Sequence, residues 1–197
     1  MKQNKLLILF FLIAFSFTIS GCVKIEDADK KENTQNTKEE NVEQKSSQPE
    51  VKTGDLTQNK KIVTLSTSKG DIELELYVKA APKTVDNFLD KIEKNFYNNL
   101  TFHRVEDWVI QGGDPDGNGT GGGDMKTELN DLTFSTGSLG VARGGDINFS
   151  NDSQFFIVKS DADWLDKQYT NFGKVTTGMD VVNKMEIGDK ILGIQIK

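Results

Sequence analysis

Arg104 is the residue around which chemistry could be built. It lies in NFYNNLTFHRVEDWVIQGGD, residues 95–114, directly after His103 and among Phe96, Tyr97, Leu100, Phe102, Val105, Trp108, Val109 and Ile110. A guanidinium stays charged and presents its N–H donors as a rigid fork. The spacing therefore sets a fixed cation beside an apolar wall. Other chemistries are poorly supplied: His103 is the one histidine, which excludes a multi-histidine site, and Cys22 the one cysteine, which excludes an intrachain disulfide or a cysteine-rich metal site. Neither supplies a recognisable Ser–His or Cys–His pair, so no nucleophile, metal or cofactor is expected. His103 is read as a structural histidine, buried and hydrogen-bonded.

The glycine-rich loop after Asp114 invites two further readings. Gly117, Gly119 and Gly122 satisfy G-x-G-x-x-G, but a dinucleotide site requires a preceding strand and a following helix, and Asp114, Asp116 and Asp124 would repel a pyrophosphate. Asp114, Asp116, Asn118 and Gly119 match the first half of a calcium loop, yet its twelfth position is Met125 where a bidentate Glu is required. A surface loop with several left-handed glycines is the simpler reading.

The elements that must position Arg104 follow from periodicity. Two strands joined by a tight turn at Glu106-Asp107 are predicted within the central stretch. Upstream, Val63 and Leu65, then Ile72, Leu74 and Leu76, alternate with polar residues around Ser68-Lys69-Gly70-Asp71, which reads as a hairpin. Pro82 opens a helix whose Val85, Phe88, Leu89 and Ile92 form one apolar stripe. Short strands are expected at 138–142, 154–158, 172–175 and 191–196, with a second short helix at 179–185. Phe155 and Phe156 must face opposite sides of their strand, one into the core and one toward a cavity, without the sequence saying which. In DADWLDKQY, Leu165 reads as a core plug and Trp164 is left open between core and surface. Many short strands with two helices favour a closed barrel over a parallel sheet.

The N-terminal part has another character. Residues 1–21 run from Lys2 and Lys5 through an apolar segment to Ser20-Gly21, the plan of an export signal, and Ile19-Ser20-Gly21-Cys22 resembles the lipobox of bacterial lipoproteins. That resemblance implies lipid on Cys22 and an extracytoplasmic protein held at a membrane. Residues 22–59 carry no aromatic side chain and read as a disordered linker, leaving 60–197 as the folded domain. The formal charge of −6 and the lack of a basic run beyond the first five residues argue against nucleic acid as a partner.

From about residue 61 to 196 the chain resembles the cyclophilin-type peptidyl-prolyl cis-trans isomerases, through APKTVDNF, NFYNNLTFHRV, IQGGD, GTGGG, SQFFI and WLDKQYTNFGKV in that order. The resemblance implies a closed eight-stranded antiparallel barrel with a helix over each end, and a substrate groove on its outer face. It makes Arg104 the catalytic arginine. Phe156, Leu165 and Val109 would form the proline pocket, with Trp108 in place of the usual Phe and Tyr169 where many members have His. Gln111 would hold the substrate backbone, Ala142 and Arg143 would line the groove, and Trp164 matches the tryptophan associated with cyclosporin. The segment between Arg104 and Gln111 is one residue shorter than the common form, and a slightly longer loop opens at Gly144-Gly145.

The chemistry thus implied suits the residues present. An X-Pro bond is held planar by amide resonance against a barrier of ~18–20 kcal/mol. Twisting localises the lone pair on the proline nitrogen, so a guanidinium donating there favours the twisted state over either planar one. The expected protein is a monomeric, membrane-tethered isomerase acting on proline-containing segments of exported or surface polypeptides. The alternatives are a peptide-binding or chaperone module using the same groove without turnover, and a solute-binding lipoprotein, which would need a second lobe.

Overall fold

The computed structural model describes residues 55–197. The export signal, Cys22 and the linker as far as residue 54 lie outside the described residues. Order begins with the expected hairpin: β1 (Lys60–Thr67) and β2 (Gly70–Tyr77) pair antiparallel in unbroken register from Lys60↔Tyr77 to Thr67↔Gly70. The turn is held by the Thr67 hydroxyl donating to the Gly70 carbonyl at 2.7 Å, with Gly70 at φ +134°. Val63, Leu65, Ile72, Leu74 and Leu76 are all buried on the same face, as the period of two requires.

Helix α1 (Pro82–Glu93) buries Val85, Phe88 and Ile92 against that face. No side chain of its own caps its first turn. The Glu128 carboxylate, more than forty residues downstream, accepts from the backbone N–H of Thr84 at 2.7 Å and of Lys83 at 3.2 Å. An anion there satisfies two orphan donors and complements the positive end of the helix dipole. Phe88 then anchors an aromatic cluster with Tyr97, Phe155 and Phe172 at centroid separations of 5.1 to 5.6 Å.

The remaining elements are β3 (Phe102–Val105), β4 (Val109–Gly112), β5 (Asp124–Lys126), β6 (Ser138–Val141), β7 (Phe149–Asn151), β8 (Phe155–Val158), β9 (Asn171–Thr177), α2 (Met179–Asn183) and β10 (Ile191–Ile196). Eight strands form one sheet in the order β10-β1-β2-β9-β6-β8-β4-β3, while β5 and β7 pair separately. A single turn of 3₁₀ helix, Asp163–Leu165, follows β8.

The expectation of a closed barrel is corrected here. The sheet is an open, strongly curled half-barrel whose outer strands, β10 and β3, share no ladder. Their margins meet through one bridge, Thr101↔Lys190, and a few backbone bonds such as Phe102 N–H to Asp189 O at 2.9 Å. Strand β3 has four residues and a register shift between Phe102 and Arg104, too little regular backbone to zip against six-residue β10.

Candidate active site

The sheet buries apolar residues on both sides of β4 and β8, and this builds the site. On the concave side Phe102, Ile110, Phe155 and Ile157 join the main core with Leu139. Their strand neighbours Val109, Phe156 and Val158 point the other way and form a second cluster with Phe134, Ala162 and Leu165, edged by Trp108 and Tyr169. The open question about SQFFI is thereby answered: Phe155 is core and Phe156 faces outward.

Cross-strand register brings the functional side chains into one row. Arg104 pairs with Gln111, Gln111 with Phe156, and Phe156 with Gly140. The irregularity in β3 just before Arg104 turns its side chain onto this outer face. The result is a pocket of about 90 Å³ lined by Arg104, Trp108, Val109, Gln111, Ala142, Arg143, Phe156, Leu165 and Tyr169. Its floor is apolar and its rim carries two guanidinium groups. The turn after Arg104, closed by Glu106 N–H to Val109 O at 2.8 Å, brings Trp108 and Val109 to the wall.

Arg104 is held on several sides. Its Nε donates to Glu106 Oε1 at 2.7 Å, Nη1 donates to Gln111 Oε1 at 3.3 Å, and the guanidinium lies 5.2 Å from the Trp108 ring centroid. Gln111 is fixed in turn, since its Nε2 donates to Gln154 Oε1 at 2.9 Å, and Gln154 donates to the carbonyls of Gly119 and Gly121. A continuous relay thus ties Arg104 to the glycine-rich loop. Arg143 is engaged differently: it donates to Gln168 O at 2.8 Å and Gly144 O at 2.9 Å, and lies 4.6 Å from the Tyr169 centroid.

The sequence left Trp164 open between core and surface, and the structure sets it at the surface. Trp164 does not line the pocket; it is 59% exposed at the rim, edge-on to Trp108 with centroids 5.5 Å apart. Leu165 lines the pocket, as the resemblance implied, and the cluster it plugs is the outer one and not the main core. His103 was expected to be buried and hydrogen-bonded; the residue is only half-buried, and its two ring nitrogens, though shielded from solvent, have no hydrogen-bond partner. Burial, more than the nearby Arg104 charge, holds its pKa below the usual histidine value, against the pull of the Asp114 carboxylate.

Sequence reasoning missed Gln154 and Gly140. Gln154 stood inside the quoted SQFFI motif without a role, and Gly140 in the middle of a strand was the available signal of a close approach. The calcium reading fails on geometry. Asp114, 1% exposed, spends its carboxylate on the backbone N–H groups of Asp116 at 3.0 Å, Asn118 at 2.8 Å and Gly119. Among the described residues no group of three or more His, Cys, Asp or Glu side chains is arranged to hold a metal ion.

The family model described as "Cyclophilin type peptidyl-prolyl cis-trans isomerase/CLD" matches residues 62–193. The chain belongs to the cyclophilin-type peptidyl-prolyl cis-trans isomerases. This cyclophilin is 46% identical over 131 residues to peptidyl-prolyl cis-trans isomerase cypE of Dictyostelium discoideum, covering 62% of this chain and 83% of that relative. It is 44% identical to human peptidyl-prolyl cis-trans isomerase-like 1 over 131 residues, covering 62% and 78%. Its fold matches the crystal structure of a cyclophilin-type isomerase of Cryptosporidium parvum with TM-score 0.65 and 30% identity, over 70% of this chain and 98% of that one. The same Cryptosporidium protein has a structure solved in the presence of the dipeptide Ala-Pro, with TM-score 0.64 over 69% of this cyclophilin and 98% of that chain.

Proposed function

We propose that this cyclophilin turns over X-Pro bonds in the pocket beneath Arg104, with the proline ring against Val109, Phe156 and Leu165 and the backbone held by Gln111. The observation that carries the reading is the convergence of one fixed guanidinium and an apolar floor within the same pocket. Rotation makes and breaks no covalent bond, so the groups needed are those that hold the ring and those that favour the twisted amide. Arg104 supplies the second function by donating to the proline nitrogen as its lone pair localises, an interaction weaker in both planar states. Trp108 and Tyr169 close the wall, while Ala142 and Arg143 flank the path of the chain on either side of the proline.

The substrates proposed are proline-containing segments of exported or surface polypeptides, met at a membrane by a monomer anchored through lipid on Cys22. The residues in favour are Lys2 and Lys5, the apolar run behind them and Ile19-Ser20-Gly21-Cys22. Cys22→Ala should abolish lipid incorporation, and a variant still lipidated and processed at the same site would sink the anchor. Cyclosporin is proposed as a ligand reaching the rim at Trp164. The deciding experiment for the activity is isomerisation of a short X-Pro peptide by the purified chain, with and without cyclosporin. Binding of the peptide without acceleration would favour the chaperone alternative.

A further inference from the structure

Glu106 stands two residues after Arg104, outside the lining of the pocket, yet it touches two of the residues that build it. One carboxylate oxygen accepts from Arg104 Nε at 2.7 Å, and the other accepts from the indole N–H of Trp108 at 2.8 Å. Its own backbone is braced as well, the N–H donating to Val109 O at 2.8 Å and the carbonyl accepting from Lys159 Nζ at 3.0 Å. We infer that Glu106 is a positioning residue, a two-oxygen clamp that fixes the guanidinium of Arg104 and the indole of Trp108 relative to each other. This rests on the reading of Arg104 as the group that acts on the twisted amide.

Magnitudes decide what kind of contribution this is. The Arg104 and Glu106 side chains are 41% and 45% exposed, so the pair adds little to folding stability. Its consequence is orientational. A free arginine side chain samples many rotamers, whereas here Nε is bound by Glu106, Nη1 by Gln111, and one face lies near Trp108. Binding at Nε engages one side of the fork and leaves terminal N–H groups on the other side to donate. The neighbouring anion must also draw some positive charge from the guanidinium, but it does so in solvent, where the effect is screened. Orientation therefore outweighs charge withdrawal, and loss of the carboxylate lowers turnover.

The test is a double-mutant cycle on the full chain with an X-Pro peptide. Glu106→Ala should lower kcat by roughly tenfold, the scale of a modest misplacement of a catalytic group, with KM changed by less than about twofold because the residue does not line the pocket. Glu106→Gln has one acceptor oxygen for two donors and should fall between Ala and the native residue. In an Arg104→Ala background, Glu106→Ala should lower kcat far less than tenfold, since only its hold on Trp108 is left to lose, whereas a role unconnected with Arg104 would give equal losses in both backgrounds. Equal losses in both backgrounds, or a kcat that stays constant or rises in Glu106→Ala, would overturn the clamp. Full turnover in Arg104→Ala would instead sink the reading of Arg104, and the clamp with it.

Discussion

Gly140 and Phe156 face each other across β6 and β8 with no room between them: a Cβ on Gly140 would stand 2.2 Å from Cζ of the Phe156 ring and 2.8 Å from Cε1 of Phe134. The ring can lie flat as the pocket floor because its partner has no side chain. The glycine is needed here for space and not for an unusual backbone.

Gly140→Ala should therefore act on affinity as well as stability. The methyl would push the Phe156 ring toward the proline site, at a cost of about 1–3 kcal/mol for overpacking. Thermal denaturation should show the loss, and KM for an X-Pro peptide should rise. An unchanged KM in a destabilised variant would mean that Phe156 is not the floor of the productive complex.

A second expectation concerns acid. Burial, the largest single influence, raises the Asp114 pKa, but the N–H groups of Asp116, Gly119 and Asn118 together outweigh it and hold the carboxyl below its usual value. The stability Asp114 contributes is thus present above its unfolded pKa of ~3.9 and lost as pH falls through the lower folded value. Asp114→Asn should lower Tm at neutral pH, by the equivalent of about 1–3 kcal/mol for an imperfectly satisfied buried network. The gap from the native protein should narrow below about pH 4. A gap that stays constant with pH would remove the charge from the explanation.

How far the sequence could be read depended on contrast between faces. The β1–β2 hairpin and α1 were legible because Val63, Leu65, Ile72, Leu74 and Leu76, and then Val85, Phe88 and Ile92, alternate with polar neighbours on one wet face. Strand β8 was legible as a strand but not as to its faces, since Phe155, Phe156, Ile157 and Val158 are buried on both sides. The small β5–β7 sheet left no trace: Asp124–Lys126 and Phe149–Asn151 show no periodicity and exist because they pair with each other from distant parts of the chain. The Glu128 cap was equally invisible, because its donors lie on a helix far away in the chain. At the site, residue types and motif spacing indicated which side chains would gather around Arg104. What holds Arg104 could not be read, because Glu106 and Gln154 act through distances.

The pair of tryptophans offers an internal reporter. Trp108 and Trp164 are the only two in the chain and meet edge-on beside the pocket. Binding of an Ala-Pro peptide should change the intrinsic emission, and most of that change should disappear in Trp108→Phe, which keeps the wall but loses the N–H donated to Glu106. Trp164→Phe, being at the exposed rim, should leave turnover of a short peptide within about twofold, the usual range for a surface substitution. A large loss of short-peptide turnover in Trp164→Phe would place that indole in the proline pocket itself.

The two guanidinium groups of the pocket make the sharpest comparison. Arg104 keeps its fork next to the row of Gln111 and Phe156, whereas Arg143 is bound to the carbonyls of Gln168 and Gly144 and stacked on Tyr169. Arg104→Ala should lower kcat/KM by ~10²–10³, the loss typical of removing one preorganised donor, while peptide affinity weakens far less. Arg104→Lys should recover only part of this. An ammonium on a flexible stem cannot donate to Glu106 and Gln111 while still presenting an N–H to the proline nitrogen. Arg143→Ala should release Tyr169 and weaken affinity more than turnover. If Arg104→Ala kept near-native kcat while Arg143→Ala abolished it, the roles would have to be exchanged: the group that favours the twisted amide would then be the one held by backbone carbonyls.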